Sequence, residues 1–171
     1  GDLELLKWAR AKGHPWENTC ADAAYEGHLE VLKWARENGA PWDQSTCGTA
    51  AAVNRLEVLQ WARQNGAPWD DQTCSSAAWG GHLEIIKWAR ENGAPWNHLT
   101  CYNAAREGHL EVFKWARQNG ATCTSEACKW AAWNGHLEVL KYARECGAPW
   151  VGETICAVAA GHGHLEVLKW A

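Results

Sequence analysis

The 171-residue chain predicts an all-α fold, a right-handed solenoid of short stacked helix pairs. Three observations lead there. The stretch GHLEVLKWARENGAPWD at residues 27–43 returns as GHLEIIKWARENGAPWN at residues 81–97. Leu29, Leu56, Leu83, Leu110 and Leu137 stand 27 residues apart, with Leu3 one residue short of that period and Leu165 one long. Each period carries two apolar patterns of helical spacing, closed by glycine, or by glycine and then proline. Self-similarity of this length marks an array whose units cannot bury their apolar faces alone. The reading is one array over residues 1–171, about six 27-residue units starting at 1, 27, 54, 81, 108, 135 and 163. Stacked helices at ~9–10 Å per unit give a length of roughly 55–65 Å.

The first helix of a unit follows the pattern of TCADAAYEG, Thr19–Gly27. Thr19, Thr46, Thr73 and Thr100 are placed to cap its start. Cys20, Ala23, Ala24 and Gly27 then fall on one narrow stripe of small residues, which permits close approach of a neighbouring helix. Gly27 ends the helix because glycine takes the left-handed conformation cheaply, and Asn54 is the next-best residue where glycine is missing.

The second helix spans roughly Leu29 to Asn38. Leu29, Leu32 and Ala35 share a face, flanked by Val31 and Trp34, while Glu30, Lys33 and Glu37 lie opposite at spacings that favour ion pairs. Gly39 and Pro41 stop it. Neither helix exceeds about a dozen residues, so each needs its neighbours to persist in water. The repeated glutamates (Glu30, Glu57, Glu84, Glu111, Glu138) and arginines (Arg36, Arg63, Arg90, Arg117, Arg144) read as a solvated, charge-paired outer face.

Eleven of the fourteen tryptophans occupy two fixed places. Trp8, Trp34, Trp61, Trp88, Trp115 and Trp170 sit in the second helix, with Tyr142 as the substitute; Trp16, Trp42, Trp69, Trp96 and Trp150 follow proline in the connecting loop. Each ring buries ~150–250 Å², area that an alanine-lined interior cannot supply, so these rings are expected to join repeats. Six of the eight cysteines (Cys20, Cys47, Cys74, Cys101, Cys128, Cys156) share one place in the repeat. Equivalent atoms in stacked units lie ~8–10 Å apart, beyond disulfide reach. They read as free thiols in a reducing compartment such as the cytoplasm. Cys123 and Cys146 are irregular, and the sequence leaves open whether they bond.

The segment AAxxGHLEVLKWARENGA resembles the second half of an ankyrin repeat, and the resemblance covers the chain from Gly1-Asp2-Leu3-Glu4 to Gly163-His164-Leu165-Glu166. An ankyrin unit has ~33 residues; this one is about six shorter, with the projecting turn compressed to GAPWDQSTC and Thr19-Cys20-Ala21 where Pro-Leu-His would stand. The resemblance therefore implies an ankyrin-like array without projecting β-hairpins. The tryptophan-rich form is similar to short ankyrin repeats found in many copies in large DNA viruses and some protists. The viral relatives often carry an F-box-like segment, which this chain does not contain, and that segment points to ubiquitin-ligase adaptor roles. What the resemblance implies about function is protein binding without catalysis.

Variation in the repeat concentrates on the first helix, after each cysteine and after each alanine pair, opposite the small-residue stripe. Ankyrin resemblance makes this face the concave one. Tyr25, Trp79, Tyr102, Trp130 and Trp133 lie there, with Asn103, Arg106 and Lys129 beside them. Aromatics next to arginine are typical anchors of protein interfaces, so these eight residues are the expected partner site.

Other chemistry has little support. Cys74 and His82, Cys101 and His109, Cys128 and His136 each enclose seven residues, but each pair spans a helix and its stop, and Arg55 replaces one histidine; the histidines read as structural, with no metal or cofactor expected. No phosphate loop, His-Glu-x-x-His pair or serine-nucleophile motif appears, which argues against an enzyme. A formal charge of −4, with only Arg106 and Lys129 near the aromatics, argues against nucleic acid. No apolar run approaches a membrane span of ~20 residues. Leu3, Leu6 and Trp8 at one end, and Leu165, Leu168 and Trp170 at the other, lack a polar capping face. That is the mark of a piece of a longer array, or of ends that associate head to tail.

Overall fold

The computed structural model describes residues 2–171. Helix α1 (Leu3–Ala11) precedes six pairs: α2 (Thr19–Glu26) with α3 (Leu29–Glu37), α4 (Gln44–Ala52) with α5 (Leu56–Gln64), α6 (Asp71–Trp79) with α7 (Leu83–Glu91), α8 (His98–Arg106) with α9 (Leu110–Gln118), α10 (Ser125–Trp133) with α11 (Leu137–Glu145), and α12 (Gly152–Gly161) with α13 (Leu165–Trp170). No strand occurs among the described residues. The even-numbered first helices pack closely on one another in a continuous row, while the second helices touch one another only lightly. Small side chains on the first helices make that difference.

The helix starts correct one expectation. In the central units the cap is not threonine. Asp43, Asp70 and Asn97 sit in extended backbone, and their side-chain oxygens accept the amides of Ser45, Gln72 and Leu99. An acidic or amide side chain three residues upstream is at least as good a cap as threonine, so the helix begins earlier. Thr46, Thr73 and Thr100 then fall in the first turn, buried, with hydroxyls that have no hydrogen-bond partner. Thr19 instead donates to the Trp16 carbonyl.

The core is made of small groups. Cys47, Ala50 and Ala51 of α4 meet Val58, Leu59 and Ala62 of α5, and the same places are buried in each central unit. On the second helix the buried aliphatics are Val31 and Leu32, with Leu29 only half-buried, so the inward face is turned by part of a step from the expected one. All eight cysteines are free, Cys123 and Cys146 included. Burial pushes the Cys47 and Cys74 thiols up to about 11 and Cys101 to about 12, so these act as small apolar side chains. On the outer face Lys33 meets Glu30 at 2.7 Å and Lys87 meets Glu84 at 2.8 Å, one turn apart as expected.

The tryptophans link neighbours. Each loop ring packs edge-on against the helix ring of the next unit: Trp42 with Trp61, Trp69 with Trp88, and Trp96 with Trp115, at 5.8–6.0 Å between centroids. The repeated arginines correct a second expectation, because they are not merely solvated. Arg36, Arg63 and Arg90 lie over Trp42, Trp69 and Trp96 at 4.0, 4.1 and 4.4 Å. Each also donates to the carbonyl of the alanine that opens the loop. Arginine, loop ring and next helix ring form one stack that crosses every regular junction. Where Cys123 replaces the loop ring, Tyr142 turns its edge to Phe113 at 6.2 Å instead.

Candidate functional site: the first-helix face

A junction residue holds each pair of first helices in register. His109 Nε2 lies 3.0 Å from the Trp79 carbonyl, His82 Nε2 3.1 Å from that of Ala52, and His164 Nε2 2.7 Å from that of Trp133. A carbonyl only accepts, so Nε2 of each ring carries the proton it donates. Arg55, in the histidine place, reaches the Tyr25 carbonyl from Nε at 3.4 Å. The glycine before each histidine serves the same contact. Gly81 and Gly108 have φ of +77° and +78°, and a Cβ on either would come within 2.7 and 2.6 Å of the next unit's imidazole. The Gly-His pair therefore encodes a junction, with glycine clearing space for the ring that follows one repeat later.

The residue whose carbonyl is gripped points its own side chain outward. Tyr25 and Trp79 are 53% and 51% exposed and Trp133 is 39% exposed. Along the row these places read Tyr25, Ala52, Trp79, Arg106 and Trp133, one per unit. The structure brings four of the expected site residues together. Trp130 and Trp133 lie 5.3 Å apart, the Arg106 guanidinium sits 5.2 Å from the Trp130 ring, and Arg106 also pairs with Glu107 at 3.3 Å. Lys129 is on the same helix and pairs with Glu126 at 3.5 Å. His162 from the next unit packs against Trp133 at 3.6 Å. Tyr102 is half-buried against the core, and Asn103 spends its amide on the Ser75 carbonyl at 2.9 Å. Tyr25 stands two units from Trp79, apart from the group.

Some variable places turn out to serve the stack. Thr49 donates to the Ala21 carbonyl at 3.3 Å and Asn134 to that of Arg106 at 2.8 Å. Gly48 and Ser75 are buried between neighbouring helices rather than facing outward. Helices lined up in one row are flanked on both sides, so only the crest of each stays open. Gly48, Ser45, Thr49, Gln72 and Ser76 instead line a shallow depression of about 300 Å³ between α4 and α6. The sequence did carry a signal for the junctions, since an arginine precedes each loop tryptophan by six residues in five units.

Among the described residues no group of three potential ligands could hold a metal ion, and no helix is long and apolar enough to cross a membrane. Cys74 is in the interior while His82 is at the junction, which separates the pairs that their spacing suggested.

Row, junction residues and outward crest define a helical repeat array. A model of ankyrin repeats (many copies) matches residues 47–90, 74–117 and 101–144, more than half of the chain, and the protein belongs to the ankyrin repeat family. The crystal structure of the human ASB11 ankyrin repeat domain is similar, with a TM-score of 0.70 and 18% identity over 88% of this chain and 80% of that one. At that identity the likeness establishes the fold alone. No curated protein matches the chain. Ankyrin repeat arrays generally mediate protein–protein interaction and are typically non-catalytic.

Proposed function

We propose that this array is a non-catalytic scaffold that binds another protein across the first-helix face, on Trp79, Arg106, Trp130 and Trp133, with Tyr25, Tyr102, Asn103 and Lys129 along its flanks. One observation carries the reading: two indoles, Trp79 and Trp133, stand 51% and 39% exposed on the first-helix row. Indole and arginine supply most hot-spot energy at protein interfaces. The partner by family resemblance is a substrate or adaptor of a ubiquitin ligase, in a reducing, cytoplasmic setting that suits eight free thiols. Alanine at Trp79 and Trp133 should weaken the natural partner by roughly thirty-fold each, as an anchor worth about 2 kcal/mol requires. Unchanged affinity with intact helix content contradicts the proposal.

A second reading rests on Leu5, Trp8, Leu165 and Leu168, all exposed at the two ends of the array. In that reading copies associate head to tail. Light scattering across a concentration series separates the two, since mass grows with concentration only if the ends associate.

A further inference from the structure

Charge is unevenly spread along the first-helix face. Residues 13–28, 40–55 and 67–82 hold α2, α4 and α6 with the turns around them, and their only lysine or arginine is Arg55. Its Nε goes to the Tyr25 carbonyl. The same segments carry Glu17, Asp22, Glu26, Asp43, Asp70 and Asp71, and among the described residues no lysine or arginine pairs with any of the six. Further along the row the charges answer one another, Arg106 with Glu107 and Lys129 with Glu126. A run of unanswered carboxylates therefore lies on the helices that also carry exposed Tyr25 and Trp79.

The carboxylates border two hollows one repeat apart. Glu17 and Asp43 line a cavity of about 130 Å³ at the starts of α2 and α4, together with Asn18, Ser45 and Thr46, and no residue lining it is cationic. Arg36 lies over the Trp42 ring and gives Nη1 to the Ala40 carbonyl. Thr46 is 1% exposed, and its hydroxyl has no hydrogen-bond partner. An unpartnered hydroxyl oxygen beside two carboxylates is a set of acceptors suited to an ammonium group. Asp70 borders the second hollow, the depression of about 300 Å³ between α4 and α6, again with no cation in its lining. Asp43 and Asp70 each use Oδ1 to cap a helix, which leaves Oδ2 for a ligand.

We infer that the partner segment received by this face is basic, with one lysine seated between Glu17 and Asp43 and another in the depression at Asp70. The inference rests on the first-helix face being the binding face, and it names the chemistry of what that face binds. The interval between the hollows sets the spacing of the lysines. Equivalent points in stacked units lie ~8–10 Å apart. In a polyproline-II segment side chains three residues apart share a face, and each residue advances ~3.1 Å, so lysines at every third position advance ~9 Å. Such a segment brings successive ammonium groups to successive hollows.

The experiment uses the whole folded chain and a fluorescein-labelled peptide of repeated Lys-Pro-Pro triplets, with binding read by anisotropy at low salt. One control peptide has glutamate for lysine, and another has the same residues with the lysines in a single block. The variant Glu17→Gln, Asp43→Asn, Asp70→Asn removes the charges and keeps the caps, since Asn97 caps α8 in the same way. A second variant, Glu37→Gln, Glu91→Gln, Glu145→Gln, removes equal charge from the second helices. The triplet peptide is expected to bind the wild-type chain more tightly than either control. The first variant should weaken it roughly tenfold and the second much less, with the difference shrinking at high salt. Equal affinity for wild type and first variant, equal losses in the two variants, or no preference for the triplet spacing overturns the inference. The peptides compared on the wild-type chain decide sign and spacing even if a variant does not fold. Trp79→Ala, assayed on the natural partner, reads the binding face separately: a loss there, with the first variant still holding the triplet peptide as wild type does, removes the basic segment alone.

Discussion

At the scale of single residues, the junction histidine shows how one side chain does two jobs. It gives its Nε2 proton to a carbonyl 30 residues earlier and fills the space over a glycine. Removing the ring in His109→Ala leaves the Trp79 carbonyl without its donor, so a loss of about 1 kcal/mol is expected in a urea titration. His109→Arg should recover much of it, as Arg55 does two units away. Protonation is the second residue-scale test. Burial lowers His82 and His136 below the ordinary 6.5, outweighing the help of their carbonyl partners. The unfolded chain then binds protons that the folded one refuses, so stability is full above 6.5 and declines as pH falls through that value. Carboxylates titrate around 4, which leaves the interval between pH 7.5 and 5.5 to the histidines. Unfolding midpoints should drop across it, and replacing His82 and His136 by glutamine should flatten the slope.

At the scale of the helix and its turn, the glycines separate backbone strain from crowding. Gly108 and Gly120 share a positive φ, +78° and +88°, but only Gly108 has an imidazole over it. Gly120→Ala should cost about 1 kcal/mol, the price of a left-handed residue with a Cβ. Gly108→Ala should cost clearly more, because His136 must also move; equal losses would show that the close approach carries no weight. Much of this level was legible in the sequence. The period, the two helices, the alanine and cysteine stripe and the αL position of Asn54 all follow from spacing, and Asn54 does have φ of +61°. The helix starts were not, because Asp43 and Thr46 both cap well and only tertiary burial decides between them. The arginines were legible only in the fixed six-residue step from each to its loop tryptophan. Their spacing fits a charged outer face, and the stack onto Trp42 or Trp69 appears only once the loop folds back. On the first-helix face, the exposure of Trp79 and Trp133 was readable from variation along α6 and α10. Asn103 was not separable from them, since a variable residue can bind a neighbouring carbonyl as readily as a partner.

At the scale of the whole molecule, every regular junction repeats the same three contacts: aromatic stack, arginine over indole, and a donor to the preceding carbonyl. Stability is therefore shared between neighbours, as in other linear arrays, and the first-helix crest is left free to vary without loosening the stack. The central claim is that this crest receives another protein. Hydrogen exchange with and without the bound partner tests it most directly. Protection is expected to concentrate in α6, α8 and α10 around Trp79, Arg106 and Trp133, with the second helices α7 and α9 unchanged. Protection confined to those second helices, or to the ends at Leu5 and Leu168, would contradict it.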